Sequence, residues 1–244
     1  MKTIFAAGCV ACALAGLTGQ AVAGNVIGGS ALLDADKQAQ LERWLGAGQF
    51  NLQNVYTRQA GDSSASFHDG ADGKGATFTL LEVTNGGGKT YLVGGYNPQS
   101  WAGDEGWHET ERDWQRTAFL FNMTDPAVYR QVSSTYVLPS QGLRQTFNEE
   151  GLGPVFGSGP DLYVNDKLTM ALSWQLSYGN PANEGRSIID GSLKGQTVRV
   201  DAMEVFAISP VPEPASVAML LAGMGVLGLA ARRRAPGRAP GRAR

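Results

Sequence analysis

Cysteine and histidine are the scarce residues of this chain, with two of each in 244 residues. Cys9 and Cys12 both lie in the first dozen residues. Everything after them lacks a thiol, which excludes a disulfide framework, thiol redox chemistry and a cysteine zinc site in that region. The histidines are His68 and His108. A zinc-protease helix needs a second imidazole four residues after the first, so that both share a face. Arg112 occupies that place after His108, and a cation does not bind zinc. The nucleophile elbow is missing too, because Gly157-Ser158-Gly159 has no residue between Gly157 and the serine. Gly157 to Pro160 is no phosphate loop, since no Gly-Lys-Ser/Thr follows. Net charge is only -2, and the 43% hydrophobic content excludes overall disorder. The 33 glycines have no three-residue period, which excludes collagen.

What the chain does have begins at its ends. Lys2, an apolar stretch over 4–17 and the small-x-small triplet Ala21-Val22-Ala23 read as a secretory signal peptide over 1–23, with cleavage between Ala23 and Gly24. The other reading, an N-terminal membrane anchor, needs a longer apolar run. At the far end, Val211-Pro212-Glu213-Pro214 precedes an apolar run over 215–231, then Arg232-Arg233-Arg234. The 17-residue run spans roughly 25 Å as a helix, at the short limit for a bilayer. The arginines place the preceding chain outside the cytoplasm. Composition alone allows a plain C-terminal anchor.

The order Pro-Glu-Pro, apolar span, arginine cluster resembles the PEP-CTERM sorting signal, here over 210–234. That resemblance implies an exported protein of a Gram-negative bacterium that makes exopolysaccharide. It further implies an exosortase that cleaves near Pro212 to Pro214. Residues 235–244 form a basic tail expected to be disordered. Seven of the 20 basic residues are Lys2 and the arginines beyond Ala231, so the exported part carries 13 basic against 22 acidic residues, a net of -9. Such a balance argues against nucleic acid or anionic lipid as a partner.

The middle, 24–209, is long enough for one domain with a sizeable core. A helix is expected over 34–45, capped by Asp34 and ended by Gly46, with Leu41, Trp44 and Leu45 on one face. Strands are expected over 77–83 and 90–96, joined at Gly86-Gly87-Gly88 as a hairpin, and over 117–123. Further strands are expected over 131–138, 155–156, 161–165, 172–178 and 197–208. Several are apolar on both faces, as in strands covered from two sides. This pattern predicts a mainly β fold in the form of a β-sandwich.

One series of residues resembles the TLD (TLDc) family. It comprises Phe67-His68, the turn Asp72-Gly73-Lys74-Gly75-Ala76-Thr77, the strand ending Gly94-Gly95-Tyr96, and Trp101. Ala118-Phe119-Leu120-Phe121, Phe156-Gly157-Ser158-Gly159 and Glu204-Val205 continue it. The resemblance implies two antiparallel sheets flanked by helices. The segment 61–66 is more polar than the family's, which puts its packing in question.

Several side chains were weighed as sites. His68 with Asp69 or Asp72 could serve a hydrolase as general base, or could simply order the turn that follows. Asp104, Glu105, Glu109, Glu111 and Asp113 could hold calcium through oxygen ligands, or form a solvated loop. Trp101, Trp107 and Trp114 could stack on sugars, or pack internally. Trp44 and Trp174 are expected in the core. No cofactor is expected. The sequence as a whole predicts a non-catalytic surface or matrix protein, with exopolysaccharide or a surface protein as partner. The family resemblance adds a role in oxidative-stress protection as an alternative.

Overall fold

The computed structural model describes residues 24–133, 141–211 and 223–224. The signal peptide with Ala23, Pro212, Glu213, Pro214, most of the span 215–231, Arg232, Arg233, Arg234 and the tail lie outside the described residues. Part of the strand expected over 131–138 does too. Among the described residues, no helix is long and apolar enough to cross a membrane.

The described domain is mainly β, with two α-helices. β1 (Val26–Ile27) leads to α1 (Ala35–Leu45) and β2 (Phe50–Thr57), then α2 (Ser64–Ala71). β3 (Thr77–Thr84) and β4 (Thr90–Asn97) form the expected hairpin. β5 (Gly106–Glu109), β6 (Phe119–Asn122) and β7 (Ala127–Arg130) follow. β8 (Arg144–Asn148), β9 (Val155–Phe156), β10 (Leu162–Val164), β11 (Met170–Leu172) and the long β12 (Val198–Pro210) complete the order.

Hydrogen bonds join the strands in the order β5-β8-β9-β10-β11-β12-β3-β4-β6-β7. Every pairing on that path is antiparallel. β12 is the junction. One edge pairs with β3 along 199–207; the other pairs with β11 at Arg199 and Val198 and with β2 along 204–210. β1 joins β2 in parallel.

The two-residue side-chain period explains why the central strands read apolar on both faces. In β3, Leu81 and Val83 enter one core cluster, while Phe78 and Leu80 enter another. In β12, Met203 and Val205 join the first and Phe206 the second. The first cluster also collects Phe67 of α2 with Phe156, Leu162, Val164 and Ala171 of β9, β10 and β11. The second gathers under α1, around Leu41, Phe50 and Leu52. A ladder of rings, Phe50, Phe78, Tyr96, Phe119 and Phe121, runs through it.

α1 starts and stops where its caps dictate. Asp34 accepts from the backbone N–H of Lys37 at 2.9 Å, and Gly46 adopts a left-handed φ of 71°. The polar segment 61–66 starts α2: Ser63 is its N-cap, and the Ser66 hydroxyl faces the Ser63 N–H at 3.5 Å. Three expectations need correction. The strand expected over 172–178 ends at Leu172, because Asp161 claims the backbone N–H groups of 176–178. The stretch between Trp101 and Trp114 is not all loop, since β5 pairs with β8. Finally, Trp174 is 39% exposed rather than core, and Trp44 lies half-buried against Phe121.

Candidate functional site

Phe67, His68, Asp72, Thr77 and Trp101 converge on one place, the junction of α2 with the turns after it. Phe67 is fully buried, and its ring meets Tyr56 and Trp101 edge-on at 6.2 and 5.5 Å. α2 then carries His68 inward, 9% exposed. Its Nδ1 lies 2.8 Å from Asp72 Oδ1, one helical turn on. Its Nε2 faces the carbonyl oxygens of Glu149 and Leu152 at 3.0 and 3.1 Å. The second oxygen of Asp72 accepts the Gly103 N–H at 2.8 Å. Both ring nitrogens and both carboxylate oxygens are therefore engaged. Asp69, the acid next to His68 in sequence, is exposed on α2.

Trp101 closes the same knot. Its indole N–H donates to the Thr77 hydroxyl at 3.0 Å, and its carbonyl accepts from the Gly73 N–H. Only 1% of Trp101 is exposed, so it belongs to the core and offers no face to a sugar. Gly75 donates its N–H to the Ser100 hydroxyl. Lys74 is exposed on this turn. Three loops, around 72–75, 100–103 and 149–152, are thus tied to α2.

The glycine pair of β4 is a packing device. A Cβ on Gly94 would sit 2.1 Å from the Thr79 carbonyl oxygen, and one on Gly95 would sit 2.6 Å from the Phe156 ring. The rings of Phe121 and Phe156 lie against the bare backbone instead. Tyr96 then packs between Phe78 and Phe119 at 5.2 Å from each.

The other weighed groups do not meet. Trp107 packs on Phe147 at 4.6 Å under the Arg144 guanidinium, while Trp114 is 71% exposed. The acidic side chains spread over separate partners. Glu105 faces His108 and Asn148, Glu109 faces Arg144, and Asp113 faces Arg116. No group of three or more potential metal ligands gathers among the described residues.

Sequence reading missed one charged centre. Asp161 is wholly buried, and its carboxylate accepts from the N–H groups of Leu176, Ser177 and Tyr178 at 2.6–3.0 Å and faces Gly159 N–H at 3.4 Å. Burial pushes its pKa up to about 7, against the pull of those N–H donors. Nothing in a Gly-Pro-Asp-Leu string separates such an anchor from an ordinary turn aspartate.

Glycine-rich turns, a buried Phe-His pair and a Gly-Gly-Tyr strand around a shared last strand define a class of β domain, and a C-terminal sorting signal defines its destination. The TLDc domain model matches residues 26–209, and the chain belongs to that family. The PEP-CTERM protein-sorting motif matches residues 210–234. This motif implies export, membrane anchoring before processing, and cleavage by exosortase. No curated protein matches the chain.

Proposed function

We propose that this chain is an exported TLDc protein, released by exosortase to the cell surface or extracellular matrix, where it binds a partner without catalysing a reaction. Signal cleavage after Ala23 and anchoring through the span 215–231 come first in this reading. The PEP-CTERM match behind the domain is the observation that carries it. The His68 geometry supports the non-catalytic half. A general base needs an available nitrogen, and both of its nitrogens already face protein oxygens. Phe67, His68, Asp72, Thr77, Gly94, Gly95, Tyr96 and Trp101 serve as bracing in this account. The β9, β10 and β11 side chains that share a core cluster with β3, β4 and β12 support a two-layer sandwich for the domain.

Cell fractionation of the host tests the reading. The protein is expected at the surface or in the matrix when exosortase is present, and in the inner membrane when it is deleted. An unchanged location would overturn it.

A further inference from the structure

We propose that the groove between the α1–β7 edge and the 175–191 segment binds a carboxylated polysaccharide; this deepens the surface-binding reading above and rests on it. Two cavities run together there. One, of about 620 Å³, is lined by Arg43, Trp44, Tyr129, Arg130, Asn180 and Asn183 among others. The next, of about 390 Å³, shares Tyr129 and Asn183 and continues past Gln175 and Arg186. Each lies in the size range of small-ligand sites, and together they suit a chain molecule rather than a single small one.

The lining has the chemistry of sugar recognition. Tyr129 and Trp44 are half-buried aromatics, suited to the apolar face of a pyranose. The amides of Asn180 and Asn183 are exposed and offer donors and acceptors to hydroxyls. Gln175 is 3% exposed, and its Oε1 has no hydrogen-bond partner. Gly179 lays its bare backbone against that side chain, since a Cβ on it would sit 2.3 Å from Oε1.

Charge chooses the class of sugar. The exported part is net -9, yet the first cavity is lined by Arg43 and Arg130 with no acidic residue, and the second adds Arg186. The carboxylates of the second cavity already have partners. Asp125 pairs with Lys89, and Asp190 accepts from Asn85 and from the Ser192 N–H. Arg130 is held by the Trp44 carbonyl at 2.8 Å and lies over the Phe119 ring, which fixes its guanidinium for a carboxylate. A neutral glucan would leave these cations unused.

The test is affinity electrophoresis of the processed protein, purified from its host, in gels holding polygalacturonate or dextran. Wild-type protein is expected to be retarded by polygalacturonate, less so in high salt, and to pass freely through dextran. Arg43→Glu alters an exposed helix position and is expected to weaken retardation at least ~10-fold with Tm unchanged. Arg130→Gln and Tyr129→Ala are expected to weaken retardation as well, but with a lower Tm, since Tyr129 packs against the core and Arg130 is bonded to the Trp44 carbonyl. Undiminished retardation of Arg43→Glu and Arg130→Gln, or a preference for dextran, would overturn the groove. If the protein is sorted by exosortase yet ignores polygalacturonate, the groove proposal falls and the sorting reading stands. If it is not sorted, the reading beneath both falls.

Discussion

At the scale of single residues, His68 and Asp72 brace the domain with both ring nitrogens and both carboxylate oxygens engaged. His68→Gln keeps one polar contact and loses the other. It is expected to lower stability by about 1–3 kcal/mol while leaving polysaccharide retardation of the folded protein intact, as urea titration and gel mobility will report. A loss of binding without loss of stability would instead place His68 in a site. Gly94→Ala drives a methyl at the Thr79 carbonyl oxygen, 2.1 Å away, whereas Gly86→Ala meets open space. The first is expected to cost several kcal/mol, of the order of ~3, and the second under about 1, by the same titration. Asp161 sets a pH dependence. Its folded pKa of about 7 lies above the ordinary value of 3.8, so the folded state holds the proton more tightly. Its contribution is therefore full below 3.8 and declines as pH rises toward about 7. The stability gap between wild type and Asp161→Asn is expected to shrink over that window; a gap that widens would contradict the assignment. Sequence showed the Phe67-His68 pair and its turn because they form a string with fixed spacing. It hid Asp161, whose partners lie 15–17 residues on and are backbone groups with no side-chain signature.

At the scale of elements, legibility followed local signals. Asp34 and Gly46 mark α1 because caps are local chemistry, and the Gly86-Gly87-Gly88 turn marks the β3–β4 hairpin. α2 was obscured because its polar start is read as loop until Phe67 and His68 are seen buried. β5 was obscured by its acidic neighbourhood, and its pairing with β8 is set nearly 40 residues away. The end of β11 was overrun because Ser173, Gln175 and Ser177 are buried polar residues that look like strand alternation. The N-terminal segment gives a test at this scale. Glu204 of β12 accepts from the Ser30 hydroxyl and from the Ala31 N–H at 2.8 Å, at the start of a chain segment that packs Leu32 and Leu33. Glu204→Ala is expected to raise hydrogen exchange over 25–33 at least ~10-fold before it affects β3 and β4. Uniform acceleration across the domain would show that β12 itself had failed.

At the scale of the whole molecule, the two ends and the middle answer different questions. The C-terminal end carries a sorting motif built of short, ordered parts, which is why it is readable from sequence. The middle carries a fold whose central strands are buried on both faces. Its polar groove could not be read, because Arg43, Tyr129, Gln175 and Asn183 are scattered along the chain and meet only once it is folded. The fold also constrains the start of the described domain. Gly24 sits where a Cβ would lie 2.0 Å from the Phe50 carbonyl oxygen and 2.8 Å from Glu42 Oε1, so a mature chain that begins there begins with the residue that fits. The measurement that bears most directly on the account is the intact mass of the exported protein from host cells with and without exosortase. The account predicts a species running from Gly24 to the neighbourhood of Pro212 to Pro214 when the enzyme is present. It predicts a species retaining the arginine-rich end when the enzyme is absent. A protein that keeps its arginine-rich end in both strains would contradict it.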